Sequence, residues 1–168
     1  MKSEVAILRT VVVYYSMLGN TDYAAKKIAQ KLGADILRIE PEKAYPDKGF
    51  KKFFWGGKSA VMGDTPALMP YSFEAESYDR IIFGTPVWAG TFAPPIKTFI
   101  TENKDKIKGK KISLLACSSG GGADKLAGKI KNLIEATEIE ATLHLIDPKD
   151  RPSEENDRKI DEFCSLLT

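Results

Sequence analysis

The chain has 168 residues. This is a typical length for one domain with its own hydrophobic core, so we expect a single domain over residues 1–168. Hydrophobic residues make up 43% and charged residues 29% of the chain, a balance that argues against intrinsic disorder. Lys and Arg total 25 against 23 Asp and Glu, a net charge of +2, whereas nucleic-acid-binding proteins usually concentrate basic charge on one face.

The N-terminal pattern and the cysteines indicate a cytoplasmic protein. The apolar run from Val5 to Tyr15 is interrupted by Arg9, and no small-residue cleavage site follows it. The run therefore predicts a strand rather than a signal peptide or a membrane span. Cys117 and Cys164 could form one disulfide at most, and we interpret them as reduced thiols.

Strand-like and helix-like segments alternate along the chain. Five short, apolar segments rich in β-branched residues predict strands: Arg9–Tyr15, Asp35–Glu40, Tyr78–Gly84, Ile112–Cys117 and Ala141–Ile146. Apolar residues recur at helical spacing after three of these strands. The first such segment ends at Gly33, the second begins at Pro94-Pro95 after the third strand, and the last begins at Leu126 after the fourth. Ser153 is the expected cap of a last helix. The stretch Pro41–Ser77 predicts one irregular helix between two loops.

This alternation predicts an α/β fold, a three-layer α/β/α sandwich in which helices cover both faces of a five-stranded parallel sheet. Right-handed crossovers limit the topology, and the strand order 2-1-3-4-5 suits five strands. Ligands of such sheets bind beyond the carboxyl ends of the strands, near the switch between strands 1 and 3. The loops that leave strands 1, 3 and 4 are therefore the candidate site.

The first of these loops runs from Ser16 to Thr21. Its hydroxyl groups, the amide of Asn20 and the backbone N–H groups at the start of the helix could converge on one anion. No lysine lies within the loop, so we expect a phosphate held by neutral donors. The alternative is that Asn20 and Thr21 only cap the helix.

The other two loops suit a flat ring. Trp88 lies among small residues in the loop 84–93, where it could stack on an aromatic ligand or pack on the edge of the core. The loop 118–123 has three glycines after two serines, which permits close contact between backbone and ligand but also suits a mobile turn. Because all three loops meet at one edge of the sheet, together they predict a nucleotide or flavin site.

These three segments carry a resemblance to the flavodoxin family, in its short-chain form, that covers essentially the whole chain. Ser16-Met17-Leu18-Gly19-Asn20-Thr21 resembles the phosphate loop Thr/Ser-x-Thr-Gly-x-Thr. The other two segments, 84–90 and 118–122, resemble the two flavin loops. The chain departs from the family at Leu18, where threonine is common, and its second flavin loop lacks the acidic and tyrosine residues of many electron carriers.

The resemblance implies a non-covalently bound FMN as cofactor, and it implies no catalytic side chain and no metal site. The cofactor-binding residues that it implies are Ser16, Met17, Leu18, Gly19, Asn20, Thr21, Thr85, Pro86, Val87, Trp88, Ala89, Gly90, Thr91, Ser118, Ser119, Gly120, Gly121 and Gly122. It also makes Tyr45-Pro46 a candidate neighbour of the flavin. In such proteins the redox chemistry belongs to the cofactor, which the protein binds, orients and tunes.

Two redox functions and one non-redox function follow from the resemblance. The chain is expected to be an electron carrier with a redox partner protein; the alternative is a flavoenzyme that takes a hydride from NAD(P)H and reduces a quinone or other small acceptor. Carriers of this family are strongly acidic, and this chain is not. A flavin-free binding module on the same fold is the third possibility. We expect no nucleic-acid or membrane partner. We expect the protein to be a monomer or a homodimer.

Other residues that could carry chemistry are better explained by structure. Cys117 ends the fourth strand and is expected to be a small buried residue. His144 alternates with Leu143 and Leu145, which predicts a place on the face or edge of the sheet. A single histidine argues against a His-based metal site and against a Ser-His-Asp triad. No P-loop or dinucleotide-binding motif occurs.

Overall fold

The structure is a computed structural model that describes residues 6–46, 58, 60 and 62–168. Its strands are β1 (Thr10–Tyr14), β2 (Asp35–Arg38), β3 (Arg80–Trp88), β4 (Thr91–Phe92), β5 (Lys111–Ser118) and β6 (Thr142–Ile146). Its helices are α1 (Asn20–Leu32), α2 (Pro94–Ile107), α3 (Leu126–Ile134) and α4 (Glu154–Leu166), with a 3-10 turn at Ala75–Ser77. Within the described residues, no helix is both long and apolar enough to cross a membrane.

Five parallel strands form the sheet in the order β2-β1-β3-β5-β6, and β4 pairs with the end of β3. This confirms the predicted order, with β5 and β6 as the fourth and fifth predicted strands. In register, Tyr14 of β1 lies beside Gly84 of β3, and Gly84 lies beside Leu115 of β5. The carboxyl ends of β1, β3 and β5 therefore meet at the edge where the candidate loops begin.

Both faces of the sheet are buried, because alternate residues of each central strand point to opposite sides. Val11 and Val13 of β1 belong to the core beneath α2 and α3, with Phe99 and Ile130. Val12 and Tyr14 belong to the core beneath α1 and α4, whose members are Val12, Tyr14, Ala24, Ala25, Ile28, Ala29, Ile82, Leu115, Cys117, Ala141, Leu143, Leu145, Ile160, Phe163, Cys164 and Leu167. The predicted three layers are thus confirmed.

The helix ends follow from local chemistry. Gly33 ends α1 with a left-handed φ of 62°, a conformation that glycine adopts without steric cost. Pro94 and Pro95 occupy the first turn of α2, where their missing N–H groups would have no partner. The Ser153 hydroxyl accepts a hydrogen bond from the backbone N–H of Asn156, so it caps α4 as expected.

Two boundaries differ from the predictions. The third strand continues to Trp88 instead of ending at Gly84, because Thr85 and Pro86 remain paired with β5, and Val87 and Trp88 pair with β4. The predicted stacking loop is thus largely the end of a strand with a tight hairpin. The irregular helix predicted within Pro41–Ser77 lies mostly outside the described residues, although Lys58, Ala60 and Met62 are helical.

Candidate functional site

A cleft lies at the carboxyl edge of the sheet, where the three predicted loops meet. We call this depression the loop cleft. Its lining residues are Ser16, Met17, Leu18, Asn20, Thr21, Pro86, Val87, Trp88, Ala89, Cys117, Ser118, Ser119 and Asp147. Eleven of these are residues predicted from the sequence. Cys117 and Asp147 are additions, whereas Gly19, Thr85, Gly90, Thr91 and Gly120–Gly122 flank the lining without belonging to it.

The first loop leaves backbone donors at the start of α1. Gly19 is the residue that precedes the helix, its φ is 97°, and no side chain among the described residues caps the helix there. A helix that begins in this way leaves its first N–H groups without intrahelical acceptors. The Ser16 hydroxyl accepts from the N–H of Gly19 at 3.2 Å, which closes the loop. Thr21 is buried beneath the cleft at 1% exposure.

A polar network that the sequence did not suggest supports this loop. Arg38 donates to the backbone carbonyl of Ser16 at 3.0 Å and forms ion pairs with Asp22 and Glu40. Asp22 also accepts from the Tyr14 hydroxyl at 2.6 Å. Burial raises the pKa of Asp22, but its bonds to Tyr14 and Lys26 and the charge of Arg38 outweigh burial, so the net direction is downward. Arg38 is the last residue of β2, and the end of this strand is not among the three predicted loops.

Asn20 contacts a fourth loop, which follows β6. Its side-chain oxygen accepts from the backbone N–H of Lys149 at 2.9 Å and from that of Asp150 at 3.2 Å. Its side-chain nitrogen donates to the Asp150 carboxylate at 2.9 Å. The Asn20 side chain therefore ties two loops together, so that any anion at this helix end would meet the backbone of Asn20 rather than its amide.

The second loop is a two-residue hairpin turn. Ala89 and Gly90 both have positive φ, 50° and 75°, between paired residues Trp88 and Thr91; this is the geometry of a type I′ turn. Lys129 donates to the Gly90 carbonyl at 3.1 Å, which fastens the turn to α3. Thr85 accepts from the N–H of Ala93 and donates to the Pro86 carbonyl, so its hydroxyl braces the hairpin.

Trp88 both lines the cleft and packs on other aromatic rings. It meets Tyr15 and Tyr45 edge to face, with ring centroids 5.7 and 5.1 Å away. The structure therefore confirms that Trp88 packs on the edge of the core, and stacking on a ligand stays a prediction that its place in the lining permits. Tyr45 was a candidate neighbour of the flavin; it contacts Trp88 but is not among the residues that line the cleft.

The third loop is braced by β6 and by the fourth loop. Ser118 donates to the Gly120 carbonyl, so its oxygen must accept from Nε2 of His144, 2.6 Å away. Ser119 donates to Asp147 at 3.1 Å, and Arg151 in turn contacts both Asp147 and the Ser119 carbonyl. His144 and Asp147 therefore position the two serines. Asp147 directly follows β6, so the rule that ligands bind beyond the carboxyl ends of parallel strands also covers this residue.

Cys117 lines the cleft but is chemically inert. Burial raises the pKa of its thiol to about 12, so the sulfur keeps its proton at neutral pH and is not a nucleophile. In the part of the chain that the structure describes, no cluster of His, Cys, Asp and Glu has the arrangement of a metal site. The described lining offers hydrogen-bond donors, apolar surface and the carboxylate of Asp147.

The donors and the apolar surface fit a phosphate ester joined to a flat ring. The lining combines the hydroxyls of Ser16 and Thr21 and the backbone N–H groups beside them with the apolar side chains of Pro86, Val87 and Trp88. A cleft with an apolar wall and a few converging polar groups is the common form of a small-molecule site. Gly120 and Gly121 have open space where a Cβ would stand, so the backbone of the third loop is accessible to a ligand.

The comparisons with known proteins agree with this architecture. A family profile described as Flavodoxin matches residues 9–155. A flavoprotein from Lactobacillus acidophilus NCFM, solved in complex with FMN, is 20% identical, with a TM-score of 0.73 over 93% of this chain and 98% of that one. A candidate flavoprotein from Bacteroides eggerthii DSM 20697 is 22% identical, with a TM-score of 0.74 over 95% and 98%. Megasphaera elsdenii flavodoxin is 18% identical, with a TM-score of 0.58 over 93% and 98%.

Proposed function

We propose that this chain, which belongs to the flavodoxin family, binds FMN non-covalently in the loop cleft and acts as a redox protein that passes electrons between partners. One observation carries the proposal: the uncapped start of α1, the apolar wall at Trp88 and the serine-glycine loop all meet in a single cleft. The three loops come from different strands, so their convergence on one ligand-sized site is a property of the fold rather than of any single motif.

The roles of the residues follow from their chemistry. The N–H groups at the start of α1, with the hydroxyls of Ser16 and Thr21, hold the phosphate. Trp88 and Val87 exclude water from the flavin ring, and the backbone of Gly120–Gly122 donates to its polar edge. Bound FMN supplies one- or two-electron redox chemistry. The chain itself binds, orients and desolvates the cofactor, and none of its side chains is assigned a catalytic step.

A second function is favoured by the charge of the chain. The net charge of +2 gives little electrostatic basis for docking on a basic partner protein, which depends on complementary charge. An FMN-dependent reductase that takes a hydride from NAD(P)H and reduces a quinone or other small acceptor needs no such docking surface. In either case we propose a cytoplasmic protein, monomeric or homodimeric, with both cysteines as free thiols.

The visible spectrum of the purified protein is the first test. We expect flavin absorbance as isolated, or after addition of FMN to the apoprotein. A colourless protein that FMN cannot reconstitute would contradict both redox functions and favour the binding module. If flavin is present, anaerobic mixing with NADPH separates the two: rapid bleaching indicates the reductase, and no reaction indicates the carrier.

A substitution at Thr21 tests the site itself. Thr21→Val removes a hydroxyl at the floor of the cleft with almost no change of shape, and we expect FMN affinity to fall about tenfold because a hydrogen bond to a charged phosphate is lost. Thr142→Val is the matched control, since Thr142 is exposed on β6, away from the lining. Equal FMN affinity in the two variants would refute the assignment of Thr21.

A further inference from the structure

The side chain of Lys149 lies against the start of α1, in a place that the sequence gives no reason to expect. A Cβ added to Gly19 would stand 3.0 Å from Cε and 3.4 Å from Nζ of Lys149. The backbone N–H of Lys149 also donates to the Asn20 side chain. Both the main chain and the ammonium group of Lys149 are therefore held on the first residues of the helix, beside the first loop.

This arrangement is electrostatically unfavourable as it stands. The amino end of a helix carries a partial positive charge and free N–H donors, and cations are stabilising at the opposite end. Here an ammonium group approaches the positive end, where no side chain among the described residues caps the helix. Asp150 offsets part of the repulsion, because its carboxylate lies 3.0 Å from the Lys149 nitrogen, but Asp150 also accepts from Asn20.

Lys26 and Arg38, which also lie near the first loop, form ion pairs with acidic residues of other segments or turns. Lys26 and Arg38 both form ion pairs with Asp22, and Arg38 also contacts Glu40. Lys149 differs in that it forms an ion pair with its own chain neighbour Asp150, and the exposed fraction of its side chain is 45%. Its ammonium group can therefore turn toward an anion at the helix start without breaking a contact between distant elements.

We propose that Lys149 is the cationic partner of the FMN phosphate and makes the site selective for FMN over riboflavin, the same flavin without the phosphate. The proposal rests on the proposed function and revises the expectation that neutral donors alone hold the phosphate. A dianionic phosphate between the N–H groups of α1 and the Lys149 ammonium converts the repulsion at this helix end into attraction. Charge-assisted hydrogen bonds to phosphate are stronger than neutral ones.

The test compares two flavins that differ only by the phosphate. Apoprotein is titrated with FMN and with riboflavin at low salt, with quenching of flavin fluorescence as the signal, for the wild type, Lys149→Gln and Lys149→Arg. We expect Lys149→Gln to weaken FMN binding about tenfold and to leave riboflavin binding within about twofold. Lys149→Arg keeps the charge and should restore most of the preference. High salt should reduce the wild-type preference toward that of Lys149→Gln, because the pair is half exposed.

Lys31→Gln is the matched control, since Lys31 lies at the far end of α1 and pairs with Asp161. It removes the same charge and should leave the preference for FMN unchanged. An equal loss of FMN and riboflavin binding in Lys149→Gln would show that Lys149 only supports the loop, and unchanged FMN binding would show that it does not meet the phosphate. Each result would overturn the proposal for Lys149 alone, whereas a wild type that binds neither flavin would overturn the proposed function as well.

Discussion

His144 shows how a single partly buried contact sets the position of a site residue. Its imidazole donates to Ser118, which lines the cleft, and burial and the nearby charge of Lys159 lower its pKa. Asp124 acts in the opposite direction without reversing the shift. His144 is therefore a positioning residue for the third loop, and its neutral form predominates at neutral pH.

The pH dependence of His144 can be measured directly because it is the one histidine of the chain. We expect its proton NMR signal to titrate with a midpoint below 6.5, its ordinary pKa. At pH values between the native pKa of His144 and 6.5, the unfolded chain binds more protons than the native protein. The free energy of unfolding therefore rises with pH in this range. The contribution of neutral His144 is complete above pH 6.5 and is lost as pH falls through the native pKa. His144→Gln should remove this component, and a midpoint at or above 6.5 would contradict the assignment.

At the scale of elements, the contact between β1 and β3 sets the position of the first loop. Gly84 of β3 lies beside Tyr14 of β1, and a Cβ at Gly84 would approach Cβ of Tyr14 to 2.8 Å and Cγ2 of Thr21 to 3.3 Å. The Tyr14 atom cannot rotate away, because it is attached directly to the backbone of a buried strand. The absence of a side chain at Gly84 therefore lets Thr21 reach the floor of the cleft.

Gly84→Ala should consequently destabilise the protein by about 2 kcal/mol, lowering Tm by about 4–8 °C, and should weaken FMN binding. Gly128→Ala is the matched control: Gly128 lies within α3 with open space around it. There the same substitution should stabilise by about 1 kcal/mol, because alanine favours the helix. Thermal denaturation of both variants measures the difference, and a neutral Gly84→Ala would argue against the tight β1–β3 contact.

The strands and helices of this protein could be predicted from the sequence wherever buried positions require apolar residues. Val11–Val13 and Ile81–Phe83 are buried on both faces of the sheet, so each reads as a continuous apolar run. The two residues of β4 are too few for a pattern, and Thr85–Trp88 resembles a loop in composition although it is paired. The end of the third predicted strand was misplaced for that reason.

The three loops of the candidate site could be located because the topology fixes where strand ends meet. The contacts that brace those loops could not, since they join residues far apart in the chain. Asn20 with Lys149 and Ser119 with Asp147 are such pairs. No spacing rule connects these partners, and only the position of β6 beside β5 brings the fourth loop to the cleft.

At the scale of the whole molecule, a buried ion pair fastens the end of the sheet opposite the cleft. Arg80, at the first position of β3, makes two hydrogen bonds of 2.7 Å to the Glu140 carboxylate and one of 2.9 Å to the Leu167 carbonyl. The Arg80 side chain is only 5% exposed. Burial raises the pKa of Glu140, but the hydrogen bonds and charge of Arg80 outweigh it and lower the pKa. The pair thus joins β3, the entry to β6 and the end of the chain.

Removing Arg80 should be costly, because the Glu140 carboxylate, which is 22% exposed, then keeps, among the described residues, only the longer ion pair of 3.9 Å with Lys111. Arg80→Met should destabilise by about 3–4 kcal/mol, whereas Arg158→Met, which breaks an exposed pair with Glu162 on α4, should cost less than about 0.5 kcal/mol. The double variant Arg80→Met/Glu140→Leu should recover most of the loss, since both charges are then gone. Urea denaturation of the wild type, Arg80→Met, Glu140→Leu and the double variant gives the coupling energy, and a coupling near zero would mean that the pair does not hold these elements together. The cleft lies at the other end of β3, so FMN affinity should be unchanged in every variant that folds.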